Sequence, residues 1–257
     1  MDARLETVGG NAVLRLERRF RHPVEKVWRA ITDPAEMAHW FPAAVETELT
    51  VGAPMTFTVP GTDRFRDGEV LELDPPKVYA FRWHHDVLRL ELVPDGDGCV
   101  LHFTQTIGGG RLTAGRNAAG WDYCLTALDA QLDGREAEPF TDWTSVITSY
   151  LDRFGLLAGT RTDTTELHFA LDLIWAPLDH AWQVLAARQP KATKAEPPRL
   201  LEHDGNPGHV RWELFADPEL GHRLELTHVL PAEHADAALA AWPERLKELF
   251  AAVHATR

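Results

Sequence analysis

The sequence predicts an α+β protein in which a curved antiparallel sheet wraps around a long C-terminal helix. It also predicts that this arrangement is duplicated, with a truncated second copy. Three observations carry the prediction. A strand-like opening leads into two short helical segments within His22–Phe41. About six strand-like runs then follow with turn residues between them and end at a long amphipathic helix. The same order of parts returns, imperfectly, in the last third of the chain. A sheet with helices on one side is a stable two-layer solution.

In the opening strand Leu14, Leu16 and Phe20 fall on one face with charges between them, which is the two-residue period of a half-buried strand. Val24, Val27, Trp28 and Ile31 then follow at helical spacing. Pro23 suits the start of that helix, where a missing N–H costs nothing. Asp33-Pro34 ends it and can cap the next, because the residue before proline leaves the α region. Trp40-Phe41-Pro42 closes the unit, with two large rings expected to be exposed.

The strand-like runs are VETEL, MTFTV, GEVLEL, VYAFRW, VLRLELV and VLHFTQTI. They are separated by Val51-Gly52, Pro60-Gly61, Asp74-Pro75-Pro76 and Asp95-Gly96-Asp97-Gly98, the last a hairpin signal. Short connections imply an antiparallel meander. The long helix runs from about Arg116 to Leu132, with Trp121, Leu125, Leu128 and Leu132 on one stripe.

Residues 10–134 read as one complete domain. Residues 135–162 read as a linker holding an amphipathic helix whose apolar face is Trp143, Val146, Ile147, Tyr150, Leu151 and Phe154. Gly155 terminates it. Residues 163–257 read as a shortened second copy. APLDHAWQVL (176–185) matches HPVEKVWRAI (22–31), and LELTHVL (224–230) matches LHFTQTI (101–107). Trp242, Leu246, Leu249 and Val253 repeat the spacing of Trp121, Leu125, Leu128 and Leu132. Three matches in one order indicate an internal duplication. The stretch from Trp182 to Trp242 is much shorter than that from Trp28 to Trp121. The missing part corresponds to DPAEMAHWF and the early strands, and a polar loop, KATKAEPPR, stands in its place.

Composition is that of an ordinary globular chain, 44% hydrophobic and 25% charged over 257 residues. The net charge of −13 argues against nucleic acid as a partner, since phosphate contacts need clustered Lys and Arg. No run reaches membrane-spanning length and the opening residues lack a targeting pattern, so a cytoplasmic protein without membrane insertion is expected. Homo-oligomerisation or a protein partner stays open. Cys99 and Cys124 are expected to be free thiols.

The first domain resembles the helix-grip superfamily (START-like, SRPBCC), which includes START domains, plant pollen-allergen proteins and polyketide cyclases. Its nearest likeness is the branch related to the C-terminal domain of activators of the heat-shock-protein ATPase. The residues that carry the resemblance are HPVEKVWRAITDPAEMAHWF, GEVLELDPP, YAFRW, VLRLELVPDGDGCVLHFTQT and GWDYCLTALDAQL. It covers about Val13 to Leu132 well and Leu167 to Val253 weakly. The sequence departs from the family pattern at Gly52-Ala53, where two glycines are common. The resemblance implies a seven-stranded sheet around the long helix, with a cavity for an apolar small molecule.

Catalytic signals are few. Serine occurs only at 145 and 149, neither in a G-x-S-x-G elbow. His84-His85-Asp86 looks metal-like, but adjacent strand residues point to opposite faces, and no metal motif accompanies them. No cofactor or metal is expected. Alternation groups Leu101, Phe103 and Gln105 on one face, Tyr79, Phe81 and Trp83 on another, and Leu88, Leu90 and Leu92 beside them. The resemblance puts these sets on the concave side. The candidate ligand-binding residues are therefore Trp40, Phe41, Tyr79, Phe81, Trp83, Leu90, Phe103, Gln105, Trp121 and Leu125. Gln105 is the polar member that could orient a ligand. Two readings of these residues stay open, a pocket and a solid core. With no acid–base couple evident on the concave face, binding of a hydrophobic small molecule is favoured. A polyketide cyclase or aromatase-like enzyme and a protein-interaction, co-chaperone-like module are the alternatives.

Overall fold

The structure is a computed structural model that describes residues 2–59, 65–139 and 141–255. The chain divides into two compact units, Met1–Thr141 and Asp142–Arg257. The Pro60-Gly61 turn lies outside the described residues.

The first unit opens with β1 (Asp2–Val8) and β2 (Asn11–Phe20), followed by helices α1 (Val24–Thr32) and α2 (Pro34–Met37). Strands β3 (Ala44–Glu46), β4 (Pro54–Thr58), β5 (Phe65–Asp74), β6 (Val78–Trp83), β7 (Asp86–Asp95) and β8 (Gly98–Ile107) come next. A single 3-10 turn, Arg111–Thr113, leads into the long helix α3 (Ala114–Leu132). The strands form one eight-stranded sheet in the order β1-β2-β8-β7-β6-β5-β4-β3, and every pairing is antiparallel. Helix α3 packs on β2 and α1. Its buried stripe includes Trp121, Leu125, Leu128 and Leu132, and its first turns are small (Ala114, Gly115, Ala118, Ala119), so the backbone can approach the sheet closely.

Local chemistry accounts for the joints. Asp33 caps α2, its carboxylate accepting from the Ala35 N–H at 2.8 Å, an arrangement worth about 1 kcal/mol. The β7–β8 hairpin turns through Gly96-Asp97, with Gly96 at φ +62° in the left-handed region that glycine enters without strain. Gly52 closes its turn by donating to the Val70 carbonyl at 2.8 Å.

The second unit contains α4 (Trp143–Arg153), β9 (Thr160–Asp163), β10 (Glu166–Ile174), α5 (Leu178–Ala186), β11 (Lys194–Glu196), β12 (Leu200–Asp204), β13 (His209–Phe215), β14 (His222–Val229) and α6 (Ala232–His254). Its sheet order is β11-β12-β13-β14-β10-β9. Read from the other edge, this is the first sheet strand for strand, with β9, β10, β14, β13, β12 and β11 standing for β1, β2, β8, β7, β6 and β5. Among the described residues α2, β3 and β4 have no counterpart in this unit. The duplication extends to single hydrogen bonds. Lys77 donates to the Asp74 carbonyl and Arg199 to the Glu196 carbonyl, each beyond a Pro-Pro pair. Leu92 donates to the Lys77 carbonyl and Leu214 to the Arg199 carbonyl, each at 2.7 or 2.8 Å. The fold is thus a duplicated helix grip with a truncated second copy.

Several expectations need correction. The first sheet has eight strands rather than seven, because β1 pairs along its whole length with β2. It is an edge strand whose described side chains are mostly exposed, with Ala3 buried, so its sequence carries little hydrophobic alternation. Part of the expected loop KATKAEPPR forms β11, paired to β12 from Lys194↔Glu202 to Glu196↔Leu200. The amphipathic helix α4, expected in a linker, packs against α6 within the second unit, and Lys247 Nζ meets Asp152 at 2.8 Å. Helix α3 starts at Ala114 rather than Arg116. Among the described residues, no helix is long and apolar enough to cross a membrane.

Candidate functional site

The segment after α1 folds inward. Trp40 and Phe41 are 4% and 6% exposed, contrary to the expectation of exposed rings. The Trp40 indole N–H donates to the Ala30 carbonyl at 2.9 Å, tying this segment to α1. That bond satisfies the one polar group of the ring, so burial carries no penalty there.

Phe41 sits at the centre of an aromatic cluster. Its centroid lies 5.0 Å from Trp83, 5.6 Å from Trp40, 5.8 Å from Trp121, 6.0 Å from Phe81 and 6.2 Å from Phe57. Tyr79 stacks 5.0 Å from Phe81, and Phe103 lies 4.6 Å from Trp121. Leu90 and Leu125 are fully buried with them. The structure therefore brings all ten sequence-named residues into the sheet–helix interior of one unit. These ring distances are those of mutual packing contacts. Burial pushes the Tyr79 phenol well above its ordinary value, which keeps it neutral. Trp83 is the member left half-buried, at the rim of the cluster.

Gln105 is 2% exposed, and its amide is held on both sides. Its Oε1 accepts from the Trp121 indole N–H at 2.9 Å, and its Nε2 donates to Asp86 Oδ2 at 2.5 Å. Asp86 Oδ1 accepts in turn from the Gly108 N–H at 2.8 Å. A polar string thus runs from a partly exposed carboxylate into the ring cluster. Burial raises the Asp86 carboxyl above the ordinary carboxylate range, opposed by the bonds from Gly108 and Gln105 and by the nearby His85 and His84. Sequence reasoning weighed Asp86 only within the metal-like His84-His85-Asp86 triplet and did not name Phe57, although alternation names both. Asp86 continues the Leu88, Leu90, Leu92 face, and Phe57 continues from Met55.

His84 and His85 occupy the turn between β6 and β7, with His84 at φ +57°, so the strand-alternation argument does not govern them. Their rings lie 3.9 Å apart. His102 is exposed on the outer face, 3.7 Å from Glu17. Both cysteines are free and buried. Burial pushes the Cys99 thiol up to about 11 and Cys124 up to about 12. Since the thiolate is the reactive form, both are expected to resist a chromogenic disulfide reagent at pH 8 in the folded chain and to react at once in denaturant. Fast native-state labelling of Cys124 would contradict this burial.

A concavity of about 330 Å³ lies beside the C-terminal end of α3. Its charges are already engaged: Lys26 Nζ donates to the Leu132 carbonyl at 2.5 Å, and Arg29 meets Glu36 at 3.4 Å. None of the ring-cluster residues lines it.

Residues 21–133 match the family described as activator of Hsp90 ATPase homolog 1-like protein. This span holds α1 through α3, including the ring cluster and the polar string. The first unit has the helix-grip fold and is similar to that family over this span. A conserved protein of unknown function from Enterococcus faecalis superposes on this helix-grip chain with a TM-score of 0.52 at 16% identity, covering 59% of this chain and 89% of its own. CalU16 from Micromonospora echinospora gives 0.49 at 20% identity, covering 60% and 94%. A search of curated proteins found no match. The Enterococcus faecalis structure supports the fold and nothing finer.

Proposed function

We propose that the first helix-grip unit binds a small, apolar, ring-bearing molecule against α3 and β6–β8. The observation that carries this reading is the distribution of rings between the two copies. The cluster around Phe41 depends on the segment from α2 to β4, which the second copy lacks. A core that served stability alone would need no such extra segment, since the shorter copy closes without it. Entry is assigned to the half-buried Trp83 rim, where the partly exposed Asp86 carboxylate at the outer end of the Asp86–Gln105–Trp121 string offers an acceptor beside apolar walls. Binding then requires rings to part, because they touch one another in this state.

The test is native mass spectrometry of the purified chain together with displacement of a fluorescent fatty-acid probe. A bound apolar species or saturable displacement is expected. The Trp83→Ala variant should weaken probe binding about tenfold, the equivalent of about 1.4 kcal/mol, with unchanged circular dichroism. No bound mass and no saturable probe binding would overturn the reading.

Asp86 favours one second reading. A carboxyl that burial raises above its usual range at the edge of an aromatic cluster is the kind of group that serves as a general acid or base. A cyclase-type activity on an aromatic precursor would then be abolished in Asp86→Asn while probe binding persisted.

A further inference from the structure

The duplicated core differs at the hydrogen-bonded pair that joins its long helix to the matching strand. In the first unit the α3 tryptophan, Trp121, donates to Gln105 of β8. At the matching place in the second unit the α6 tryptophan, Trp242, donates to Nδ1 of His228 of β14, also at 2.9 Å. His228 Nε2 faces the Pro207 carbonyl at 2.9 Å. An indole N–H can only donate and a carbonyl can only accept, so His228 is neutral, with its proton on Nε2. A second histidine repeats the device with the opposite tautomer. Trp212 of β13 donates to His203 Nε2 at 3.2 Å, and His203 Nδ1 faces the Asp204 carbonyl at 3.0 Å. Both rings are buried, at 6% and 4% exposure, and Trp212 meets Trp242 edge-on at 5.4 Å.

We propose that the second unit carries an acid-sensitive latch, in which His228 must stay neutral for α6 to remain docked on its sheet. Protonating His228 at Nδ1 would set two donors face to face and leave the Trp242 N–H unpaired in the core. The surroundings offer no relief. Helix α6 brings Arg245, whose guanidinium lies 5.1 Å over the Trp242 ring and repels a proton, and β12 brings His203, which would repel one if it were itself protonated. From β13 come Val210 and Trp212, and from β10 Leu167, all apolar and buried. The Asp204 carboxylate is directed to the exposed His209, 3.7 Å away. Burial accordingly lowers the affinity of His228 for a proton, with Arg245 and His203 adding to it against the Pro207 bond.

The sign follows from linkage. A histidine whose folded affinity for protons is depressed leaves stability intact above its unfolded value of about 6.5 and removes it as pH falls below that value. Gln105 does not titrate, and the Asp86 carboxyl bonded to it is raised by burial, so protonating it on acidification favours the folded form; the first unit is therefore a control that acid does not weaken at this place. Opening would expose the α6 stripe of Trp242, Leu246 and Leu249, a surface suited to an apolar partner.

The test is amide hydrogen exchange on the full chain from pH 7.5 to 5, corrected for intrinsic rates and resolved by peptide. Protection of 232–254 should fall by up to about tenfold per pH unit below about 6.5 for one linked proton, while 114–132 holds. His228→Gln, which copies the first unit, should remove most of that difference. Parallel loss in both helices, or an unchanged acid response in His228→Gln, would overturn the latch. Imidazole nitrogen NMR of the unaltered chain at pH 7 gives an independent reading should the variant not fold. The expected forms are Nε2–H for His228 and Nδ1–H for His203, and a charged ring or the reverse tautomer at His228 would equally overturn it.

Discussion

Trp121→Ala should lower the stability of the first unit by about 3–5 kcal/mol, the cost of emptying a large buried ring site. The Trp121 ring touches Phe41, Trp83 and Phe103, and it is 4% exposed. A further loss of about 1–3 kcal/mol arises because Gln105 Oε1 is left without its donor in the core. Trp121→Phe separates the two contributions, since it keeps most of the apolar contact and removes the N–H. Urea unfolding of the full chain, read through hydrogen exchange of 114–132, is the measurement, because two units make a single spectroscopic midpoint ambiguous. Protection of 114–132 that is the same in Trp121→Ala as in the parent would show that this ring is not part of the closed core. The second unit should be unaffected in either variant.

Phe41→Ala should cost a similar amount, about 3–5 kcal/mol, by removing the ring with five aromatic neighbours. The two losses should not add, because the Phe41 and Trp121 centroids are 5.8 Å apart and share the same collapse. This variant also bears on the proposed site. An apolar cavity left in a rigid core stays dry and admits small aromatic molecules. If the cluster is the site, Phe41→Ala changes probe affinity by about tenfold or more, a difference of about 1.4 kcal/mol. Unchanged affinity in a folded variant would place the probe elsewhere and sink the assignment.

The elements that pack on a single face were legible in the chain. Period-two alternation in β2, β6, β7 and β8 and the stripe on α3 name the core residues directly, because burial of one face is what that periodicity records. The position of α2 and of the Asp33 cap followed from local backbone chemistry alone. What stayed hidden depended on partners distant in sequence. Strand β1 has almost no apolar signal, and β11 is short and polar, so each exists through its backbone pairing to a neighbour rather than through its own side chains. Trp40 and Phe41 read as exposed because they lie past a helix end in an irregular segment. Their burial is set by how that segment folds back on α1 and the sheet.

The candidate site divides in the same way. Alternation identified the ring set and singled out Gln105, but it assigned that amide to a ligand. The structure shows its oxygen taken by Trp121 and its nitrogen taken by Asp86. That pairing joins residues on α3, β8 and β7, and a hydrogen bond between elements has no local signature.

The sequence alone determined that the chain holds one helix-grip pattern twice and that the second copy is missing a helix and early strands, since repeated spacing survives in one dimension. The tertiary structure decided that six strands of one copy match the six of the other in order, and that the place of a glutamine in the first core is taken by a histidine in the second. The reason is physical: periodicity reports which face is buried, whereas the protonation and bonding of a buried group depend on the particular atoms that the fold brings against it.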